Sequence, residues 1–498
     1  MLSRGDAVLF DPYFLPQYLQ LNDAIGQLTA DMVAHDPAAF RGSGGDIRYV
    51  AERQLFFALF ADRKLYDYYV ACRTQAALPD KDSLPFWPRQ IAPYFRGERP
   101  RFEKLTWRER YLRFLYRRLG EGTFQMEGTA GTPPQVFFHV IHPKFVRYFK
   151  TIADNLSVPF AFLTIDDPGM FKALAAERLP RVHIALTQAS REMMLPEVEI
   201  MRRTFRPGLF DSWFIRFNAV RRILRELKPD CIVVPEGNAA IYELVNQSAK
   251  TIGIPTLCIQ QGWAPVVHPG FRNMSYGKMC VWGERFSELL APFNPGQAFV
   301  ATGNHVIACQ PQGDVAQRRA IVFFLQNGAH WLTEETWRGV LDLIAWSAKK
   351  FPLCEIRVRD HPGAPLSPAD VESLEAVGNV RLMSPGKFPL TDLFAGCRVA
   401  VAINSTTILE AAASGAVPLI LDVSGFGPYH PNIAADGAAV EVTNFRDARI
   451  KLEQLVQDDR YCASFAGPLD RVRAGLFVRN GDQAREAIVA EINAMAGG

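Results

Sequence analysis

EIRVRDHPG (residues 355–363) and VAVAINSTTILEAAASGAVPLIL (residues 399–421) are the two stretches on which the fold turns. In the first, Ile356 and Val358 alternate with Arg357 and Arg359, the period of a strand, and Asp360-His361-Pro362-Gly363 stops it because Pro has no N–H to give a ladder. In the second, residues 399–403 form a continuous apolar run, as a strand covered on both faces requires. Asn404-Ser405-Thr406-Thr407 then supplies hydroxyls and a cap for a helix through Ile408 and Leu409, and Gly415 turns the chain into a further strand at 417–421. Strand, polar turn, helix and strand make the unit of a doubly wound parallel sheet. Free N–H groups and partial positive charge gather at a helix N-terminus, so the Ser-Thr-Thr turn suits a phosphate as well as an ordinary cap.

Outward from these stretches the same alternation runs through most of the chain. Strands are expected at 136–141, 160–165, 182–186, 231–235 and 256–259, and a second series begins at 319–325. A polar stretch at 304–317 reads as the hinge between them. The expected organisation is a helical region at 1–130, Rossmann-like domains at 131–304 and 318–480, and a last helix in 481–498. The chain has 498 residues, 48% hydrophobic and 21% charged, which excludes disorder and suits more than one core. A net charge of +3 is too small to mark nucleic acid as the main partner. None of the eight cysteines forms a CxxC pair, so they read as reduced core residues. No signal peptide or membrane span stands out, and the expected location is the cytoplasm.

Taken together, His361-Pro362 and Ser405-Thr406 resemble the C-terminal half of a GT-B glycosyltransferase. More narrowly, they resemble the bacterial capsule and lipopolysaccharide enzymes that use CMP-activated sugars such as sialic acid or Kdo, which have His-Pro and Ser-Ser/Thr motifs around the CMP phosphate. The resemblance implies an N-terminal domain holding acceptor and base, a C-terminal domain holding the nucleotide-sugar donor, and a last helix that crosses back. It implies a glycan or lipid-linked glycan acceptor and no metal or other cofactor. The same fold serves UDP-sugar and CDP-glycerol transferases, UDP-sugar 2-epimerases, which need no acceptor, and idle scaffold proteins.

Glycosyl transfer needs an activated acceptor oxygen and a stabilised leaving phosphate. For the first task Glu236 follows a strand end and precedes Gly237, matching the acidic residue before Gly that is the family's general base, although Pro235 replaces the acid before it. A loop carboxylate favouring the next helix explains it equally. Asp166 and Asp167 are the rival pair: they cap a turn at Pro168-Gly169, or serve a retaining mechanism as nucleophile and acid/base. For the leaving group His361, matched to the family's His-Pro, is the candidate to neutralise or protonate the phosphate, or else an ordinary strand-end histidine, with Ser405 and Thr406 donating to the phosphate and Thr407 and Arg359 nearby. Gln326, Asn327, Ser384, Gly386 and Lys387 lie at other strand ends of the second domain, placed to touch base or ribose or simply to turn the chain.

Six further segments carry weaker signals. QQGW (260–263) and YGKMCVWGE (276–284) resemble Q-H-G and W-G-E segments of surface-carbohydrate proteins, with Gln261 where the family has His. Asp80-Lys81-Asp82 has the spacing of a metal-binding acid pair but no strand before it. Gly42-Ser43-Gly44-Gly45 reads as a flexible turn, since it lacks the Lys of a phosphate loop. Residues 96–118 are basic and aromatic. Thr106 caps a helix with an apolar stripe of Trp107, Tyr111, Phe114, Leu115 and Leu119, suited either to packing on the protein, with its arginines in water, or to peripheral contact with an anionic membrane at the inner face. Residues 120–134 read as a linker.

Overall fold

The computed structural model describes residues 13–78, 84–100, 102, 104–129, 131–194, 209–263, 267–307, 317–326, 333–361, 365–403, 405–422 and 431–497. Asp80, Asp82, Pro362 and Asn327, together with most of the expected hinge, lie outside the described residues.

The fold is α/β, with two Rossmann-like parallel sheets behind a helical N-terminal region. In that region β1 (Arg41–Gly42) and β2 (Gly45–Asp46) form a small hairpin. The first sheet contains β3 (Gly122–Glu127), β4 (Val136–His139), β5 (Phe160–Ile165), β6 (Arg181–Leu186), β7 (Cys231–Pro235), β8 (Thr256–Ile259), β9 (Lys278–Val281) and β10 (Phe299–Ala301). Its strand order is β10-β9-β8-β7-β4-β5-β6-β3, and only β3 runs antiparallel. The chain winds outward from β4 through β5 and β6, then returns to place β7 on the other side of β4. Between β4 and β7 the winding reverses, which opens a crevice at the carboxyl ends of those two strands. Their residues are wholly buried, as continuous apolar runs covered by helices must be.

The second sheet holds β11 (Ala320–Phe324), β12 (Glu355–Arg359), β13 (Val380–Leu382), β14 (Cys397–Ala402), β15 (Val417–Leu421) and β16 (Val440–Val442). Its order is β13-β12-β11-β14-β15-β16, all parallel, with the reversal between β11 and β14. The last helix, Gly481–Ala496, lies against the first sheet's helix Pro143–Ala153, and Lys278 Nζ meets Glu491 Oε2 at 2.7 Å.

Three expectations are corrected. Residues 122–127 are not linker: they are β3, an edge strand whose Gly-flanked, half-exposed sequence lacks the apolar run that marks a central strand. The glycine turn is a tucked hairpin rather than a loose one, because a Cβ on Gly45 would overlap the buried ring of Phe217. The aromatic stripe of helix Trp107–Tyr116 does not pack inward; Trp107, Tyr111 and Phe114 are exposed, while Arg113 and Arg117 point into the protein and hold Asp211 at 2.8 and 2.7 Å. A buried carboxylate outweighs an aromatic stripe in choosing the inner face, since an unpaired buried charge costs several kcal/mol, on the order of 3–5.

The seven cysteines among the described residues are free thiols, and all but Cys72 are buried. Helix Arg48–Leu59 docks the N-terminal region on helix Ala240–Lys250 through the wholly buried pair Arg53–Glu243, at 3.4 Å.

Candidate active site

The reversal point of the first sheet carries Glu236. It directly follows β7, and its backbone continues the ladder by donating to Ile259 O at 2.8 Å. It then adopts φ +55°, a left-handed conformation that costs a non-glycine residue of order 1 kcal/mol, and Gly237 follows at φ +70°. This sharp turn throws the carboxylate over the strand ends. Asn238 Nδ2 donates to Glu236 Oε2 at 3.0 Å, and a Cβ on Gly262 would stand 2.9 Å from Oε1, so glycine in QQGW leaves room for the acid. Burial raises the Glu236 carboxyl above its usual range, opposed by the charge of Lys144 and the Asn238 bond. A cavity of about 440 Å³ opens beside Asn238, lined also by Ala240 and Ile241, by Trp213 and Arg216, and by Gln54 and Phe57 of the N-terminal helices.

Asp166 and Asp167 stand elsewhere. They follow β5, two strand spacings from β7, which is about 10 Å. Asp167 caps its helix by accepting from Met170 N at 2.8 Å. Asp166, also left-handed at φ +54°, accepts from Arg191 Nη2 at 2.9 Å and Leu186 N at 3.2 Å, with Arg216 Nη2 at 3.7 Å.

In the second domain the reversal point between β11 and β14 gathers Gln326, Ser405, Thr406 and Thr407. Gln326 directly follows Leu325 at the end of β11, and its Oε1 is buried without a hydrogen-bond partner. Ser405 Oγ lies 2.6 Å from Thr407 Oγ1 and accepts from Thr407 N at 3.3 Å, at the start of helix Thr407–Ala413. Thr406 Oγ1 donates across to Trp263 O of the first domain at 3.0 Å. The carboxyl ends of β8 and β14 therefore face each other over this bond. His361 is exposed at the end of β12.

Arg359 lies close enough to the helix after Ser405-Thr406 for its charge to act on Glu410. Its Nη1 donates to Met383 O at 3.0 Å and Phe388 O at 2.6 Å, bracketing the turn that carries Ser384, Gly386 and Lys387. It holds a loop of the site in position. Gln260 likewise proves structural: its side chain accepts from Trp282 N at 3.0 Å and its carbonyl from Trp282 Nε1 at 2.9 Å and Tyr148 OH at 2.7 Å. Those bonds tie together the two segments resembling Q-H-G and W-G-E.

Two residues were not singled out from sequence. Asn238 sits two places after Glu236 and is unremarkable until the turn folds it back. Glu410 lies one helical turn after Thr406, where burial pushes its carboxyl up to about 7 against the pull of Arg359. Its i+4 spacing from Thr406 was a legible signal. Among the described residues no group of three or more His, Cys, Asp or Glu could hold a metal ion.

No protein-family model matches the chain, and no curated protein does. Among solved structures, the chain is similar to the UDP-GlcNAc 2-epimerase from Neisseria meningitidis bound to UDP-GlcNAc, at 15% identity over 72% of this chain and 99% of that one, with a TM-score of 0.46. It is also similar to MurG of Acinetobacter baumannii, at 13% identity over 72% and 100% of the two chains and a TM-score of 0.45. HepE from Anabaena, in complex with UDP and glucose, gives 10% identity over 72% and 99%, with a TM-score of 0.43. Each is a distant likeness of backbone arrangement.

Proposed function

We propose that the protein is a GT-B glycosyltransferase that moves a sugar from a nucleotide donor held by the second domain to an acceptor hydroxyl held by the first. The observation that carries this reading is the facing of the two crevices. A desolvated carboxylate stands at one, hydroxyls and an unpartnered carboxamide oxygen stand at the other, and Thr406 bridges them to Trp263. Glu236 takes the proton from the acceptor hydroxyl, the acceptor oxygen attacks the anomeric carbon, and the bond from that carbon to the donor phosphate breaks. Desolvation makes Glu236 a stronger base than an exposed acid, which favours this step near neutral pH. His361 and the hydroxyls of Ser405 and Thr407 meet the departing phosphate, and Gln326 with the Ser384–Lys387 turn meets the nucleoside. A single base on the acceptor side favours inversion, and the engagement of Asp166 and Asp167 in pairing and capping favours it further.

The finer reading keeps a CMP-linked ulosonic acid, of the Kdo or sialic acid kind, as donor, on the strength of His361-Pro362 and Ser405-Thr406. Thermal-shift titration with CMP, CDP and UDP tests it: CMP should stabilise the protein and UDP should not, and the reverse order overturns the donor while leaving the fold untouched. Glu236→Gln should lower transfer by roughly 10²-fold or more, with the nucleotide-induced shift intact. Turnover of a nucleotide sugar to its 2-epimer without any acceptor would replace transfer with epimerisation.

A further inference from the structure

Helix Trp107–Tyr116 turns an aromatic face to solvent. Trp107, Tyr111 and Phe114 are 80%, 52% and 50% exposed, and with Arg110 and Arg118 they recur at i, i+3, i+4, i+7 and i+11 on one side of the helix. Trp107 and Tyr111 lie nearly parallel with centroids 6.0 Å apart, and the Arg118 guanidinium lies 3.8 Å from the centre of the Phe114 ring. The opposite side is fixed. Arg113 and Arg117 grip the buried Asp211, Arg113 also pairs with Asp36, and Thr106 with Glu109 closes a capping box. The helix is therefore anchored from that opposite side, while the aromatic face is turned to solvent.

Charge selects what covers it. Exposed Lys104, Arg108, Arg110 and Arg118 surround the aromatics, whereas Glu109 is held in the cap by Thr106 and Glu121 pairs with Arg222 at 3.8 Å. Beside the helix opens a cavity of about 370 Å³ lined by Lys104, Arg110, Arg113, His35, Leu105 and Asp36. Aromatic rings over a positive rim are the pattern of an interfacial helix lying in an anionic headgroup layer. Among the described residues no helix is long and apolar enough to cross a membrane, so any attachment through them is peripheral.

We propose that this face docks the protein on an anionic phospholipid bilayer, with Trp107, Tyr111 and Phe114 seated at the headgroup boundary and Lys104 and Arg110 receiving lipid phosphates. Co-sedimentation with vesicles of phosphatidylcholine, with and without phosphatidylglycerol, tests it. The protein should sediment with the anionic vesicles, lose roughly tenfold in partitioning on neutral ones, and lose roughly tenfold again in the Trp107→Ala/Tyr111→Ala/Phe114→Ala variant or in Lys104→Gln/Arg110→Gln. Because the triple variant could fold poorly, Trp107→Phe is a conservative second arm: the blue shift of tryptophan emission on adding anionic vesicles should shrink in it. No binding to anionic vesicles, equal binding to neutral ones, or an unchanged triple variant overturns the proposal. So does a dimer, seen by light scattering without lipid, that the triple variant dissolves, since the face then belongs to a second copy of the chain.

Discussion

At the scale of single residues, the two perturbed carboxyls of the cleft do different things. Glu236 sits in a left-handed turn directly after β7, with its carboxylate bonded by Asn238. Glu410 is held by its surroundings in a partly neutral state. Its folded pKa, about 7, exceeds the ordinary 4.5, so the native state keeps a proton that the unfolded chain gives up. Its contribution is full below the unfolded value and is lost as pH rises through about 7. Wild type should therefore lose stability between about pH 5 and pH 8 relative to Glu410→Gln, by roughly 2 kcal/mol after allowing for partial exposure, and urea unfolding of both proteins across that range measures it. A flat difference across the range would mean that the carboxyl titrates normally.

At the scale of elements, side-chain direction decides more than composition does. The β1–β2 hairpin contains three glycines in a row of four residues, yet they are not equivalent. Gly44 needs its φ of +83° and has open space around it, whereas a methyl on Gly45 collides with Phe217, which is fully buried on helix Trp213–Leu227 and cannot yield. Gly45→Ala should cost about 2–3 kcal/mol and Gly44→Ala about 1 kcal/mol, read as shifts in the urea midpoint with unchanged m. Equal effects would show that conformation rather than packing governs the turn. Helix Trp107–Tyr116 makes the same point: its sequence announces an apolar stripe and a basic flank, but the position of Asp211 chooses which one faces in.

At the scale of the whole molecule, the last helix returns to the first sheet. Helix Gly481–Ala496 buries Ala484, Ile488 and Ile492 and joins Lys278 through Glu491, so the second domain is enclosed between two passes of chain over the first. Ile488→Ala with Ile492→Ala should cost about 4 kcal/mol or more by cavity formation and lower the melting temperature, while the nucleotide-induced shift persists because the second sheet is untouched. Loss of nucleotide response in a folded double variant would show instead that the helix sets the distance across the cleft.

The amino-acid sequence by itself determined the class of the fold and the ends of most strands, because apolar runs such as Phe160–Ile165, Cys231–Pro235 and Val417–Leu421 and the breakers after them are local signals of backbone and burial. It also offered three carboxylates at strand ends and put Glu236 first only through its place before Gly237, with Asp166 and Asp167 as rivals. Tertiary structure separates them in space, since the return of the chain to lay β7 beside β4 puts Glu236 at the reversal of the winding and leaves Asp166 two strands away among arginines. Strand order, the inner face of an amphipathic helix and the strand nature of residues 122–127 depend on contacts between distant residues, and such contacts leave no period in the sequence.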